Sequence, residues 1–191
     1  MQRESLSEHS FVKTVKIYQS ILGDEHCEKI LKSYKDIQKI DNTGKFRDNL
    51  LNTSRTHGAA HQHTDVAEVW SDICEAMSGI WSSDNDPCFQ QASLSLNASW
   101  IAVSEEGAVV EPHIHASNPG VWSFVFYADI PNGESSLLFS DVDTENIKIR
   151  VRKGDVLFFP ADLVHFSFDT VPGRTIFSGN FSIHCSYGQV G

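Results

Sequence analysis

The sequence predicts a mainly β fold with helices against one face, a double-sheet jelly roll preceded by a helical section. Three observations carry that expectation. From about residue 90 the hydrophobic pattern switches to period two. In QASLSLNASWIAV, Leu94, Leu96 and Ala98 alternate with Ser93, Ser95, Asn97 and Ser99. Further strand-like runs occupy 108–115, 120–130, 135–140, 145–152, 155–160, 163–169 and 174–184. The segments SEEG, SNPG, PNGE, DVDTE, RKGD and VPG fall between them and carry the Gly, Pro, Asn and Asp residues that turns require. About eight short strands after a helical stretch form an α+β chain whose strands close into two sheets.

The elements follow in order. FVKTVKIYQ alternates well enough for a strand from Val12 to Tyr18. Asp24 can cap a helix in which Cys27, Ile30, Leu31, Tyr34 and Ile37 recur at spacings of three and four, and DNTG, ending at Gly44, stops it. A second helix is expected from Asp65, with Glu68 three positions on as in a capping box. Its apolar stripe is Val66, Val69, Trp70, Ile73, Met77 and Ile80, a core-facing surface. Between the helices lies the polar loop LNTSRTHGAAHQH. His57, His61 and His63 suggest a metal there, but the nearest carboxylate, Asp65, is assigned to the helix cap, so the loop is expected to cover a site instead. The chain is expected to form one domain over 1–191, with a helical section at 1–89 and the jelly-roll core at 90–185.

Composition removes several function classes. A formal charge of −10 and a pI near 5.2 disfavour a nucleic-acid partner, which needs clustered Lys and Arg. No apolar run approaches the ~20 residues of a membrane span, and MQRESLSEHS has no apolar signal region. The cytoplasm is the expected location. Cys27, Cys74, Cys88 and Cys185 lack the C-x-x-C spacing of zinc or redox sites and read as buried thiols.

The chemistry concentrates in EPHIHASNPGVWSFVFY. His113 and His115 are two apart near a strand end, so both project from one face. His165 closes another strand after GDVLFFPADLVH. The last strand opens with Gly173-Arg174, and Arg174, Ile176, Ser178 and Asn180 share one of its faces. An arginine inside a barrel is expensive unless an anion meets it, either an internal carboxylate or a bound one.

Residues 95 to 182 resemble the Fe(II)- and 2-oxoglutarate-dependent oxygenases, and among them the small prolyl-hydroxylase-like group. The likeness runs through H-x-H, WSFVFY, PNG, GDVLFFP, His165, Gly173-Arg174 and S-x-N-F. It implies a double-stranded β-helix and an enzyme that couples oxidative decarboxylation of 2-oxoglutarate by O2 to oxidation of its substrate. It further implies that His113 and His165 hold iron. Arg174 would pair with the far carboxylate of 2-oxoglutarate, and Ser178 and Asn180 would line that end. The chain departs from the family at His115, where most members carry Asp or Glu. His115 can itself coordinate, it can stand behind the metal, or Glu111 on the same strand can supply the carboxylate. A neutral ligand there removes one negative charge beside the iron and favours anionic ligands.

A cupin fits nearly as well. Gly107 precedes His113-Ile114-His115, and Gly154 and Pro160 precede His165, with the spacing of its two motifs. The glutamate expected after H-x-H is missing from ASNPGVW, Asp162 stands where a glycine is usual, and a cupin has no use for Arg174. A non-catalytic jelly-roll binding module is the third reading, with Trp100, Trp122 and Phe124 as its ligand face. On the oxygenase reading the substrate is a small molecule or peptide, with Trp100, Trp122 and Tyr127 as candidates to frame it.

Overall fold

The computed structural model describes residues 16–40, 50–56, 59–83, 92–115, 121–140 and 146–185. Its elements are β1 (Tyr18–Ile21), α1 (Asp24–Ile40), β2 (Leu50–Arg55), a 3-10 turn (Ala60–Gln62), α2 (Thr64–Ser83), β3 (Ala92–His113), β4 (Val121–Asp129), β5 (Ser135–Ser140), β6 (Ile147–Val151), β7 (Asp155–Pro160), β8 (Val164–Ser167) and β9 (Thr175–Cys185). All strand pairings are antiparallel, in the order β1-β7-β4-β9-β3-β8-β5-β6, with β2 added to β3. The sheet curls into the double-stranded β-helix that the sequence predicts.

β3 holds the two halves of that sheet together. Its first part, Ala92 to Val103, pairs with β9, while Val110 and His113 pair with Ser167 and His165 of β8. Between these stretches the ladder with β2 shifts register, from Leu51↔Val109 to Thr53↔Ser104. SEEG, expected to be a turn between two strands, is therefore an irregularity within one strand, with Gly107 at φ 70. Extra residues on one side of a ladder bend the strand, and the bend carries β3 from one sheet to the other.

Coverage of both faces explains why β4 and β7 read as almost continuous apolar runs. Phe124, Phe126, Val156, Phe158, Phe177 and Phe181 join a buried cluster with Cys27 and Ile30 of α1 and with Val66, Val69, Ile73 and Met77 of α2. Val125, Tyr127, Leu157 and Phe159 point the other way and pack inside the barrel with Leu137, Phe139 and Leu163. Each buried aliphatic or aromatic side chain contributes about 1.5–3 kcal/mol relative to exposure, so the helix layer is integral to the fold.

Gly179 shows how tightly β9 is seated. A Cβ there would lie 2.5 Å from the Ala98 carbonyl and 2.8 Å from the Phe124 ring.

The helical section differs from expectation in two places. The first strand begins at Tyr18 and pairs through Ile21 with β7, later than the expected Val12–Tyr18; residues 12–15 lie outside the described residues. The second helix begins at Thr64, and neither Asp65 nor Glu68 closes a capping box. Asp65 instead accepts a hydrogen bond from Lys32 at 3.0 Å and Glu68 one from Lys29 at 2.9 Å, joining α2 to α1. Two interhelical lysines outcompete the cap. These contacts are exposed and worth little individually.

Candidate metal centre

His113 and His165 are direct cross-strand partners in the β3–β8 ladder. Opposed residues in such a pair bring their side chains within contact distance, and the two rings stand 4.3 Å apart between centroids. His115 follows the end of β3, its main-chain N–H held by the Ala161 carbonyl at 2.9 Å. That bond turns its ring back toward the others, 4.9 Å from both. One ligand atom from each of the three histidines falls within 4.8 Å of the others.

Hydrogen bonds fix which nitrogen faces inward. His113 Nδ1 lies 2.7 Å from the Glu111 carbonyl, and His165 Nδ1 lies 3.0 Å from the Leu163 carbonyl. A carbonyl only accepts, so both rings carry their proton on Nδ1 and present a bare Nε2 lone pair. His115 Nε2 lies 3.1 Å from His165 Nε2. Two facing nitrogens are stable there only with a proton or a cation between them. For metal–nitrogen bonds of about 2.1 Å, adjacent ligands at right angles sit about 3.0 Å apart. The donor set therefore fits a divalent transition metal.

Burial keeps the His115 and His165 rings uncharged. It pushes His115 down to about 4, with the positive character of His113 and Arg55 adding to the effect. It pushes His165 down to about 3, reinforced by His113 and His115. Phe159 packs 4.7 Å from the His165 ring and supplies much of that apolar wall. Glu111 is exposed and does not line the cavity; its main-chain carbonyl, not its carboxylate, serves the centre.

A cavity of about 290 Å³ opens on the three histidines. Arg174, Ser178, Asn180, Trp100 and Tyr127 line it. Trp122 does not. It shares a strand face with Phe124, stacks on Tyr18 at 5.9 Å and packs toward the helix layer, so the expectation that it frames the substrate mouth is corrected by strand parity. Phe124, the other member of the suggested aromatic ligand face, is fully buried in that layer.

Arg174 is only 4% exposed. Its Nη1 reaches the hydroxyls of Ser135 and Ser167, each at 3.3 Å, and its Nε has no hydrogen-bond partner among the described residues. No carboxylate pairs with it among the described residues. Burial holds the guanidinium below its usual range, opposed by the nearby Tyr127, whose phenol burial pushes up to about 12. Ser178 donates to the Phe124 carbonyl at 2.7 Å, and Ser123 donates to Asn180 Oδ1 at 2.9 Å. Both cavity-lining side chains are thus held in place by β4.

Sequence reasoning missed three cavity residues or supports. Ser167 lies two residues beyond His165, and Ser135 shares the alternation of Leu137 and Phe139; following period two from the histidine would have found both. Arg55, from β2, had no such signal. Of the loop histidines, His61 bonds Ser99 at 2.9 Å and His63 bonds Ser33 at 3.3 Å, while His57 lies outside the described residues.

A protein-family model described as Cupin matches residues 78–182, more than half of the chain. The chain belongs to the cupin family. Among solved structures, this cupin is similar to a Pseudomonas putida prolyl-4-hydroxylase, with a TM-score of 0.61, 12% identity and coverage of 90% of this chain and 94% of that one. It is similar to a Trichoplax adhaerens prolyl hydroxylase in complex with a hypoxia-inducible-factor peptide, with a TM-score of 0.60, 10% identity and coverage of 90% and 83%. It is also similar to HygX from Streptomyces hygroscopicus with nickel and 2-oxoglutarate bound, with a TM-score of 0.55, 11% identity and coverage of 91% and 84%. At these identities the likeness shows the fold: this cupin has the double-stranded β-helix of the prolyl-hydroxylase-like oxygenases. No curated protein sequence matches it significantly.

Proposed function

We propose that this cupin is a non-haem Fe(II)- and 2-oxoglutarate-dependent oxygenase, a hydroxylase acting on a small molecule or peptide. One observation carries the reading. A buried guanidinium without a carboxylate partner among the described residues faces the same cavity as three converging imidazoles. A metal-binding protein with no anionic ligand gains nothing from that arrangement, because an unpaired buried charge costs several kcal/mol. A dicarboxylate that meets the metal at one end and Arg174 at the other removes the cost.

In this reading His113, His115 and His165 hold Fe(II). The bound iron, with 2-oxoglutarate and O2, would supply the oxidising chemistry. Everything else is the chain's work. Arg174 fixes the far carboxylate through its planar fork, and Ser135 and Ser167 fix Arg174. Ser178 and Asn180 border the same strand face. Phe139, Phe159 and the helix-backed sheet keep water from the His165 side. The free thiols of buried Cys27 and half-buried Cys74 suit a reducing, cytoplasmic setting.

A metal-dependent cupin that uses no 2-oxoglutarate is the second reading, favoured by the family match and by the imidazole at His115. Anaerobic titration of the Fe(II) protein with 2-oxoglutarate decides between them. The oxygenase should develop the visible metal-to-ligand charge-transfer band and release succinate slowly without substrate. Absence of both leaves the 2-oxoglutarate-free cupin.

A further inference from the structure

Asn180 lines the cavity with its amide tied at one end. Its direct cross-strand partners are Ser123 of β4 and Ala98 of β3. Ser123, only 1% exposed, donates its hydroxyl proton to Asn180 Oδ1 at 2.9 Å. An amide held by its oxygen keeps both N–H donors for another partner, and Asn180 Nδ2 has none among the described residues. Ser178, the preceding residue on the same strand face, has already given its one hydroxyl proton to the Phe124 carbonyl. Asn180 is therefore the donor that this face of β9 offers beyond Arg174.

Position separates it from the cosubstrate end. Arg174 and Asn180 are six positions apart in extended chain, about 20 Å at roughly 3.3 Å per residue. Trp100 marks the level of the histidines between them: it pairs with Ser178, and its ring stands 5.6 Å from that of His115. Asn180 is the next residue on that face, on the side away from Arg174. A dicarboxylate that joins the metal to Arg174 leaves Asn180 to the substrate. Trp100 and the 47% exposed Ile114 give the cavity apolar surface. No Asp or Glu is among the described residues that line it, so a cationic substrate finds no counter-charge there. Resting on the oxygenase reading, we infer that Asn180, oriented by Ser123, selects an uncharged substrate with an apolar body and donates a hydrogen bond from Nδ2 to its carbonyl oxygen.

The test uses full-length protein loaded with Zn(II) and saturated with 2-oxoglutarate. Three probes of similar size are compared by ligand-observed NMR: acetophenone, which only accepts, ethylbenzene, which does neither, and benzylammonium, which only donates. Asn180→Ala should lower the ratio of acetophenone to ethylbenzene affinity about fivefold, the net value of one hydrogen bond. Ser123→Ala should lower it less, because the unheld amide can turn either end inward. Asn180→Asp replaces the donor with an acceptor and should place benzylammonium above acetophenone. Retained 2-oxoglutarate affinity in Asn180→Ala shows that the fold and the Arg174 end are intact. An unchanged ratio in Asn180→Ala, or no binding of either neutral probe by wild type, overturns the inference. A wild-type preference for benzylammonium also overturns it, since the amide would then present its oxygen. Loss of 2-oxoglutarate affinity in Asn180→Ala with the probe ratio unmoved overturns it too and returns Asn180 to the cosubstrate. Failure of wild type to bind 2-oxoglutarate is a separate result that strikes the proposed function, and the probe ratios then judge Asn180 by themselves.

Discussion

The Nε2 atoms of His115 and His165 lie 3.1 Å apart, although the residues are separated by 50 positions in the chain. His165 is locked by Leu163 into the tautomer with a bare Nε2. Alone, that pairing would need the His115 proton to point at it. On the proposed function a metal would take the place of that proton and use both lone pairs, with His113 as the third ligand.

Metal binding should follow from this geometry. The protein should take up about one divalent ion, measured by elemental analysis after anaerobic reconstitution with Fe(II). His113→Ala and His165→Ala should each abolish uptake. His115→Ala should weaken it, and His115→Asp should restore it by supplying a carboxylate. Full uptake by either of the first two variants removes those residues from the metal; unchanged affinity in His115→Ala places His115 outside the ligand set.

How much of this was legible in the sequence depends on parity. The bounds of β5 and β7 match their strand runs residue for residue, because turn residues flank both: Gly133 and DVDTE around β5, Gly154 and Asp162 around β7. Parity placed Arg174, Ser178 and Asn180 on one cavity-facing side. It also carried the information that Trp122 belongs with Phe124 and not with Tyr127, which an eye drawn to aromatic residues overlooks. Other features were not local. Asp65 looks like a helix cap until α1 brings Lys32 to it. Arg55 enters the cavity only because β2 adds to β3, a pairing that no short-range pattern announces.

Packing at Gly179 should be intolerant of a single methyl group. The Ala98 carbonyl and the Phe124 ring both sit closer than a Cβ can approach, and neither belongs to a flexible chain end. Gly179→Ala should destabilise the fold by about 1–3 kcal/mol, read as a lower urea midpoint with an unchanged slope. A wild-type midpoint would show that β9 has slack the packing does not suggest.

Thiol titration gives a pH dependence with a definite sign. Burial pushes Cys27 up to about 11 and Cys74 up to about 12, from an ordinary value of 9.0. A raised folded-state pKa means that the unfolded chain loses its protons first. The stability these groups contribute is complete below pH 9 and declines as pH rises toward 11. In a variant with Cys88 and Cys185 changed to serine, iodoacetamide at pH 8 should label native protein far more slowly than urea-unfolded protein. Equal labelling would contradict the burial of Cys27 and the partial burial of Cys74.

Arg174 separates a ligand site from a structural ion pair, because the two roles predict opposite signs for stability. If a hidden carboxylate neutralised Arg174, replacing it with Met would strand that carboxylate and cost about 3–5 kcal/mol. Nothing among the described residues plays that part, and Nε is unpartnered. Arg174→Met should therefore leave the ligand-free protein as stable as wild type, or more so, in urea denaturation. Its 2-oxoglutarate affinity should nonetheless fall about a hundredfold, the equivalent of about 3 kcal/mol, with Fe(II) uptake unchanged because the arginine touches no imidazole. Lysine should recover only part of that loss, keeping the charge but not the fork. Marked destabilisation of Arg174→Met together with unaltered 2-oxoglutarate binding would return Arg174 to a structural role and leave the cavity to a cupin chemistry that needs no dicarboxylate.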